Sequence, residues 1–271
     1  MPQRLYSTCS IQYPTMTATD SRPTIRVGVF IPKECQLLDM ACVDIFGTMS
    51  HEYFTVLGDG VPGPIASLAP SVKIFYISTV QPNDPIPMTS AAHLTCTHHL
   101  SDPAVQPGQL DVVLVPGPDP ATDWTKHPEV TDWLAAHAAR ADTDILSVCT
   151  GIYLCGAAGL LRGRKACGPR GLQGDLAKKF EGVQWVGEEM RWVKDGNFWS
   201  SGGITNGNDL VAAYARTSGR FPGPVAELGL VMTETGDRPQ RYETGKMAMT
   251  LGVVWQILKA AVMGFGKKKT A

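Results

Sequence analysis

One cysteine lies where a predicted strand gives way to a predicted helix, a position that favours chemistry at sulfur. Residues 144–164 read DILSVCTGIYLCGAAGLLRGR. The apolar run at 145–148 predicts a buried strand, and the small and aliphatic residues after Thr150 predict a helix that ends near Gly163. Cys149 falls at the junction, where the positive end of the helix is expected to lower the thiol pKa and favour the nucleophilic thiolate. A buried structural cysteine is the alternative.

A second candidate is a carboxylate early in the chain. Asp39 follows Leu37 and Leu38 at the apolar start of a predicted helix, where an unpaired carboxylate is costly. Burial beside a sulfur atom would raise the pKa of Asp39 and keep it protonated, able to donate a proton. An exposed carboxylate favoured by the helix dipole is the alternative, and the residues alone do not separate the two.

The composition narrows the class of protein. The 271 residues include 24 basic and 25 acidic side chains, for a net charge of −1, which predicts no nucleic-acid or membrane partner. Seven cysteines are scattered without metal-type pairs, which indicates free thiols in a reducing, cytoplasmic compartment and no metal site. No secretory signal is recognisable.

The elements around these residues alternate between strands and helices. Helices are expected up to Thr48 and at 128–140 and 208–217, and a hairpin at 190–200 turns at Asp195-Gly196. Strands are expected at 26–31, 53–57, 72–78, 111–115, 145–148 and 183–186. This order predicts an α/β fold with a mainly parallel sheet and helices on both faces.

The chain divides into three parts along its length. Residues 1–24 are expected to be a flexible tail, and residues 25–235 a single α/β domain. Residues 236–271 are expected to form a helical extension whose apolar stretch packs on the domain or on a partner subunit. That stretch is shorter than a membrane span requires.

Several motifs together resemble the DJ-1/PfpI superfamily, and within it the isonitrile hydratase branch. They are ECQLLD near the start, DVVLVPG, SVCTG, AAGLLRGR and DGNFWSSGGITNG. The resemblance implies a flavodoxin-like sandwich of the kind found in class I glutamine amidotransferases, in a cofactor-free and usually dimeric protein. It also implies that Cys149 is the nucleophile, that Asp39 lies beside it, and that the N–H of Thr150 faces a developing anion while its hydroxyl can hold a water.

The chain departs from the family pattern at two places. The usual Pro-Gly-Gly turn is Pro116-Gly117-Pro118, so one of two expected oxyanion donors is missing unless Gly117 or Asp119 replaces it. Pro169 and Arg170 stand where the hydratase branch has His and Trp, and Arg170 would suit an anionic substrate.

The leading hypothesis is a cofactor-free, cysteine-dependent enzyme that hydrates an isonitrile to an N-substituted formamide. Cys149 would attack the terminal carbon, Asp39 would protonate it, and water near Thr150 would release the product.

A hydratase, lyase or isomerase acting on another small electrophile is a second possibility. The non-enzymatic alternative is a redox sensor in which Cys149 is oxidised. A transcriptional regulator is disfavoured, since too few residues follow Glu234 for a helix-turn-helix domain.

Overall fold

A computed structural model describes residues 22–267, without the side chains of residue 246 and residues 264–267. The N-terminal tail predicted for residues 1–24 lies almost wholly outside the described residues. The strands in this range, in chain order, are β1 (Thr24–Phe30), β2 (Ser71–Ser78), β3 (Pro85–Pro87), β4 (His93–Thr95), β5 (His98–His99), β6 (Val112–Val115), β7 (Asp144–Val148), β8 (Lys165–Ala166), β9 (Gln184–Trp185), β10 (Trp192–Asp195) and β11 (Phe198–Ser201).

Helices alternate with these strands. They are α1 (Leu37–Met40), α2 (Val43–Thr48), α3 (His51–Leu57), α4 (Gly63–Ala66), α5 (Pro128–Ala138), α6 (Gly151–Ala157), α7 (Gln173–Lys179), α8 (Asn206–Thr217), α9 (Gly223–Met232) and α10 (Lys246–Lys267).

Seven of the described strands form one sheet in the order β10-β11-β7-β6-β1-β2-β5. Every neighbouring pair is parallel except β10 and β11, which form the predicted hairpin. The mainly parallel sheet expected from the sequence is therefore confirmed. The carboxyl ends of β6 and β7 lie side by side in this order, which brings the loop after β6 next to the turn after β7.

The two faces of the sheet are covered by separate apolar layers. Alternate residues of β7 enter opposite layers: Leu146 packs with residues of α2, α8 and α9, whereas Ile145 packs with residues of α5 and α6. Because both faces are buried, the central strands are apolar at almost every position, which is why they could be recognised from the sequence.

Three local expectations are wrong. The hairpin turns at Gly196-Asn197 and not at Asp195-Gly196, because Asp195 still pairs with Phe198. Residues 53–57 belong to α3 and not to a strand, because the Ser50 side chain accepts a hydrogen bond from the Tyr53 N–H (3.0 Å) and caps the helix. The helix after Cys149 ends at Ala157 and not near Gly163. Gly159, with φ of +79°, lies just after the helix and ends it four residues before the expected Gly163.

The C-terminal extension does not cover the core of its own domain. Many of the described apolar side chains of α10 are exposed, among them Leu251, Trp255 and Leu258. The segment before α10 does contact the domain: the Tyr242 N–H donates to the Glu189 carbonyl at 2.8 Å.

Two glycines allow the segments around Cys149 to approach each other closely. A Cβ atom on Gly151, the first residue of α6, would collide with the Val115 carbonyl oxygen and lie 3.1 Å from that of Pro116. A Cβ atom on Gly117 would collide with the Asp39 carboxyl and lie 2.5 Å from the Thr150 hydroxyl oxygen. Only glycine permits this spacing.

We expect Gly151→Ala to lower the free energy of unfolding by about 2–4 kcal/mol, since the methyl group meets backbone and not a movable side chain. The matched control is Gly174→Ala in α7, where an added Cβ meets no atom within 4 Å. The control is expected to be neutral or stabilising by up to about 1 kcal/mol. Urea denaturation measures both, and equal stabilities for the two variants would contradict the close packing at Gly151.

Candidate active site

Cys149 occupies a tight turn between β7 and α6. Val148 is the last residue of the strand and Gly151 the first of the helix, as the sequence predicts. The backbone of Cys149 has φ of +57°, in the left-handed region that residues other than glycine rarely adopt. Such a conformation costs on the order of 1–3 kcal/mol and persists only where the surroundings enforce it. Cys149 is buried, with 8% of the residue exposed.

Asp39 lies in α1 and is fully buried beside this cysteine. Its carboxyl group contacts the Cys149 thiol and faces the backbone of Gly117 and of Ile204. Neither carboxyl oxygen has a hydrogen bond of ordinary geometry within the described residues. The structure thus brings together the two residues singled out from the sequence and leaves the carboxyl group incompletely satisfied.

Burial controls the ionisation of both groups. It raises the pKa of Asp39 from 3.8 to about 6, against the opposing effects of the Cys149 thiol and the backbone of Gly117 and Ile204. It also raises the pKa of the Cys149 thiol, to about 12, and the negative charge of Asp39 adds to this increase. At neutral pH the site therefore holds an Asp39 carboxylate and a neutral Cys149 thiol.

This result corrects the expectation of a lowered thiol pKa at Cys149, and also the expectation that Asp39 stays protonated, because its raised pKa of about 6 still leaves it ionised at neutral pH. The expectation rested on the helix dipole, but α6 has only seven residues. A helix end acts as about half a charge, whereas Asp39 carries a full negative charge in direct contact with the sulfur. Desolvation adds to the effect of the carboxylate, and the two together outweigh the dipole.

Ile204 is a site residue that the sequence reasoning missed. Its backbone interacts with both Asp39 and Cys149 and lowers the pKa of each, so it must present an N–H donor to them. The φ of Ile204 is +50°, an unusual value for a β-branched residue. The available signal was the GGITNG motif, which was recognised as part of the resemblance but was not assigned a role.

The residues expected to replace the missing oxyanion donor are already engaged. The N–H of Gly117 faces Asp39, and the N–H of Asp119 donates to the Glu34 carboxylate at 2.8 Å. The Thr150 backbone lowers the pKa of Cys149, which places its N–H towards the sulfur. The Thr150 hydroxyl donates to the Pro118 carbonyl at 2.7 Å and so ties the two loops together.

Arg170 is directed towards the C-terminal segment. Its guanidinium donates to the Thr244 carbonyl at 2.6 Å and stacks over the Tyr242 ring, 4.3 Å from the ring centroid. The Tyr242 hydroxyl accepts a hydrogen bond from the Asn206 amide at 2.8 Å. Arg170 therefore holds this segment against the start of α8, and the role expected for it in binding an anionic substrate has no support from these contacts.

His98 and His99 are engaged away from the turn of Cys149. His98 and His99 hydrogen-bond to Thr97 and Ser101 at the edge of the sheet. No group of three or more His, Cys, Asp or Glu side chains in residues 22–267 is arranged to hold a metal ion.

Because the pKa of Asp39 is raised by folding, its charge destabilises the folded state at neutral pH. Between pH 4 and pH 6 the folded state binds more protons than the unfolded state, so stability falls as the pH rises through that window. Asp39→Asn removes this penalty and is expected to raise the free energy of unfolding at pH 7 by about 1–3 kcal/mol, with little gain near pH 4.

Urea denaturation across this pH range measures the effect. The matched control is Asp44→Asn, at an exposed position of α2, which is expected to change stability by less than about 0.5 kcal/mol at any pH. An Asp39→Asn variant that is less stable than the parent at pH 7 would contradict the assignment of a strained carboxylate.

Comparison with known proteins agrees with the fold and with the motifs. The family model of the DJ-1/PfpI family matches residues 61–217, more than half of the chain. The isonitrile hydratase of Pseudomonas putida is 32% identical over 158 residues, which cover 57% of this chain and 64% of that protein. The match therefore spans less than two thirds of the relative.

Solved structures are similar in fold at lower identity. A ThiJ/PfpI family protein from Pseudomonas syringae is 22% identical, with a TM-score of 0.62 over 97% of both chains. Drosophila melanogaster DJ-1beta is 14% identical, with a TM-score of 0.59 over 78% of this chain and 98% of its own. An AraC family transcriptional regulator from Pseudomonas putida is 15% identical, with a TM-score of 0.58 over 77% of this chain and 99% of its own. The matched family model and the shared sheet establish that the chain belongs to the DJ-1/PfpI family.

Proposed function

We propose that the chain is a cofactor-independent enzyme that hydrates an isonitrile to an N-substituted formamide. The observation that carries the proposal is the contact between the buried Asp39 carboxylate and the neutral Cys149 thiol. A base and a nucleophile in contact, shielded from water, form the minimum arrangement for covalent catalysis at an electrophilic carbon. The similarity to isonitrile hydratase supports the choice of electrophile.

In the first step, Asp39 acts as a base and then as an acid. As the Cys149 sulfur bonds to the terminal carbon of the isonitrile, the thiol proton passes to the Asp39 carboxylate. Asp39 then transfers this proton to the same carbon, which yields a thioimidate bound to the sulfur. The step forms one S–C bond and one C–H bond, breaks the S–H bond, and returns Asp39 to its carboxylate form.

In the second step, water adds to the thioimidate carbon. Asp39 accepts a proton from the attacking water and delivers it to the imine nitrogen. The C–S bond then breaks as the new hydroxyl becomes the formamide carbonyl, and its proton returns to the Cys149 sulfur. One water is consumed, and no oxidant, reductant or metal is required.

The altered turn at Pro118 is compatible with this substrate. A carbonyl substrate would develop an oxyanion on attack, and losing one donor to such an anion can cost about 3 kcal/mol in the barrier. Attack on an isonitrile places the new charge on carbon, where Asp39 can neutralise it. The first step therefore makes little demand on the donor that is missing at Pro118.

The alternatives have less support from this site. Another small electrophile is compatible with the same two residues, but Arg170 is engaged with Thr244 and Tyr242, so no contact favours an anionic substrate. A redox sensor generally uses an exposed thiol with a low pKa, and Cys149 has neither property.

Replacing Cys149 tests the proposal directly. We expect Cys149→Ala to reduce formamide formation from cyclohexyl isocyanide at least about a thousandfold, because the nucleophile is lost. Cys96→Ala is the matched control, since Cys96 is also buried but hydrogen-bonds to backbone carbonyls beside β5. It is expected to retain activity within about threefold. Formamide appears in chromatography of the product, and persistent turnover by a folded Cys149→Ala variant would refute the role of the sulfur.

The pH dependence tests the role of Asp39. If the carboxylate accepts the thiol proton, kcat/KM rises with pH as Asp39 loses its proton near pH 6 and then levels off. Asp39→Asn is expected to abolish this rise together with most of the activity, whereas Asp44→Asn leaves the profile unchanged. A profile that is flat from pH 5 to pH 8 in the parent enzyme would show that another group takes the proton.

A further inference from the structure

Helix α10 exposes apolar side chains along its length. Leu251 is 60% exposed, Trp255 57% and Val262 72%, values that large apolar residues rarely reach in a contiguous group. The further apolar side chains of α10 that are exposed by at least 45% are Met247, Val253, Val254, Ile257, Leu258 and Met263. Such a surface indicates a binding partner that is apolar over a large area.

Four of the exposed apolar residues share one face of the helix, and others of that group lie elsewhere on its circumference. Leu251, Trp255, Leu258 and Val262 follow one another at spacings of four, three and four residues, which places them on one face. Gln256 and the other polar residues lie on the remaining circumference.

The charges of this region all have the same sign. From residue 244 onward the sequence contains five lysines and no acidic residue, although the chain as a whole has a net charge of −1. Lys259 lies within the helix beside the apolar face. A helix that combines an aliphatic and tryptophan face with lysine as its only charge matches the surface of a bilayer containing anionic lipids.

We propose that α10 binds the surface of an anionic lipid bilayer and lies in the interface plane with its apolar face among the acyl chains. We place the helix in the interface plane and not across the bilayer, since none of the helices described between residues 22 and 267 has the length and apolar character needed to cross a membrane. The proposal differs from the expectation of no membrane partner, which rested on net charge averaged over the whole chain.

The breadth of the apolar surface favours lipid over a second copy of the helix. A helix pair buries a narrow seam and normally carries charges of both signs beside it, which fix the pairing. Here exposed apolar residues such as Val253 and Ile257 lie outside the face of Leu251 and Leu258 as well as on it, and residues 244–271 contain no acidic residue to pair with Lys259. A lipid interface accommodates this wider apolar face and the uniform charge.

The test is co-sedimentation of the full chain with vesicles. One set contains equal parts phosphatidylserine and phosphatidylcholine, and the other contains phosphatidylcholine alone. The disrupting variant is Leu258→Glu/Val262→Glu. Its matched control is Leu68→Glu/Val231→Glu, which makes the same changes outside α10 at positions of nearly equal exposure, 51% and 71% against 54% and 72%. Both variants change the net charge equally.

We expect the parent and the control to bind the vesicles that contain phosphatidylserine. Their binding is expected to be weaker at high salt, and weaker to vesicles of phosphatidylcholine alone. The α10 variant is expected to bind at least about tenfold more weakly, because two carboxylates replace apolar groups that would lie among the acyl chains of the bilayer. All the substituted positions are exposed, and thermal unfolding confirms that each variant folds.

Three results would overturn the proposal. The first is a parent chain that does not bind either vesicle. The second is equal binding by both double variants. The third is a parent that is dimeric without lipid, does not bind vesicles and becomes monomeric in the α10 variant, which would assign the surface to a second copy.

Discussion

The contact between the Asp39 carboxyl and the Cys149 thiol is the constraint on which the rest of the site depends. Both groups are buried, and a second negative charge at this separation would be strongly disfavoured, so the pair carries one charge at neutral pH. That charge rests on Asp39, whose carboxyl faces the backbone of Gly117 and Ile204. The Cys149 sulfur is therefore protonated at neutral pH.

Asp39, Cys149 and Ile204 come from three separate segments of the chain, and each is held in an energetically unfavourable state. The backbone of Cys149 and that of Ile204 both adopt left-handed conformations, and Asp39 is buried without a full set of hydrogen bonds. Gly117 and Gly151 supply the close approach that holds the segments together. Strain of this kind is retained where the surrounding packing enforces it, here between two apolar layers on a buried parallel sheet.

Much of the fold could be predicted from the sequence, because a sheet covered on both faces requires apolar strands such as residues 112–115 and 145–148. Residues 53–57 were misassigned because the helix cap supplied by Ser50 overrides the strand preference of Tyr53, Thr55 and Val56. Asp39 and Cys149 could be named as partners through the motif resemblance. The ionisation of Cys149 could not be inferred, since it depends on burial and on a carboxylate more than 100 positions away in the chain.

The sequence also could not reveal what the donors around the site would bind. In a carbonyl addition, the negative charge would move from Asp39 to a substrate oxygen. The N–H groups that face Asp39 would then no longer face the charge. In an isonitrile addition, the charge passes only transiently to carbon and returns to Asp39 with the proton transfer. The N–H groups of Gly117 and Ile204 then face the charge at the beginning and at the end of the step. Their position therefore suits a reaction in which Asp39 carries the negative charge before and after the step, whatever the electrophile.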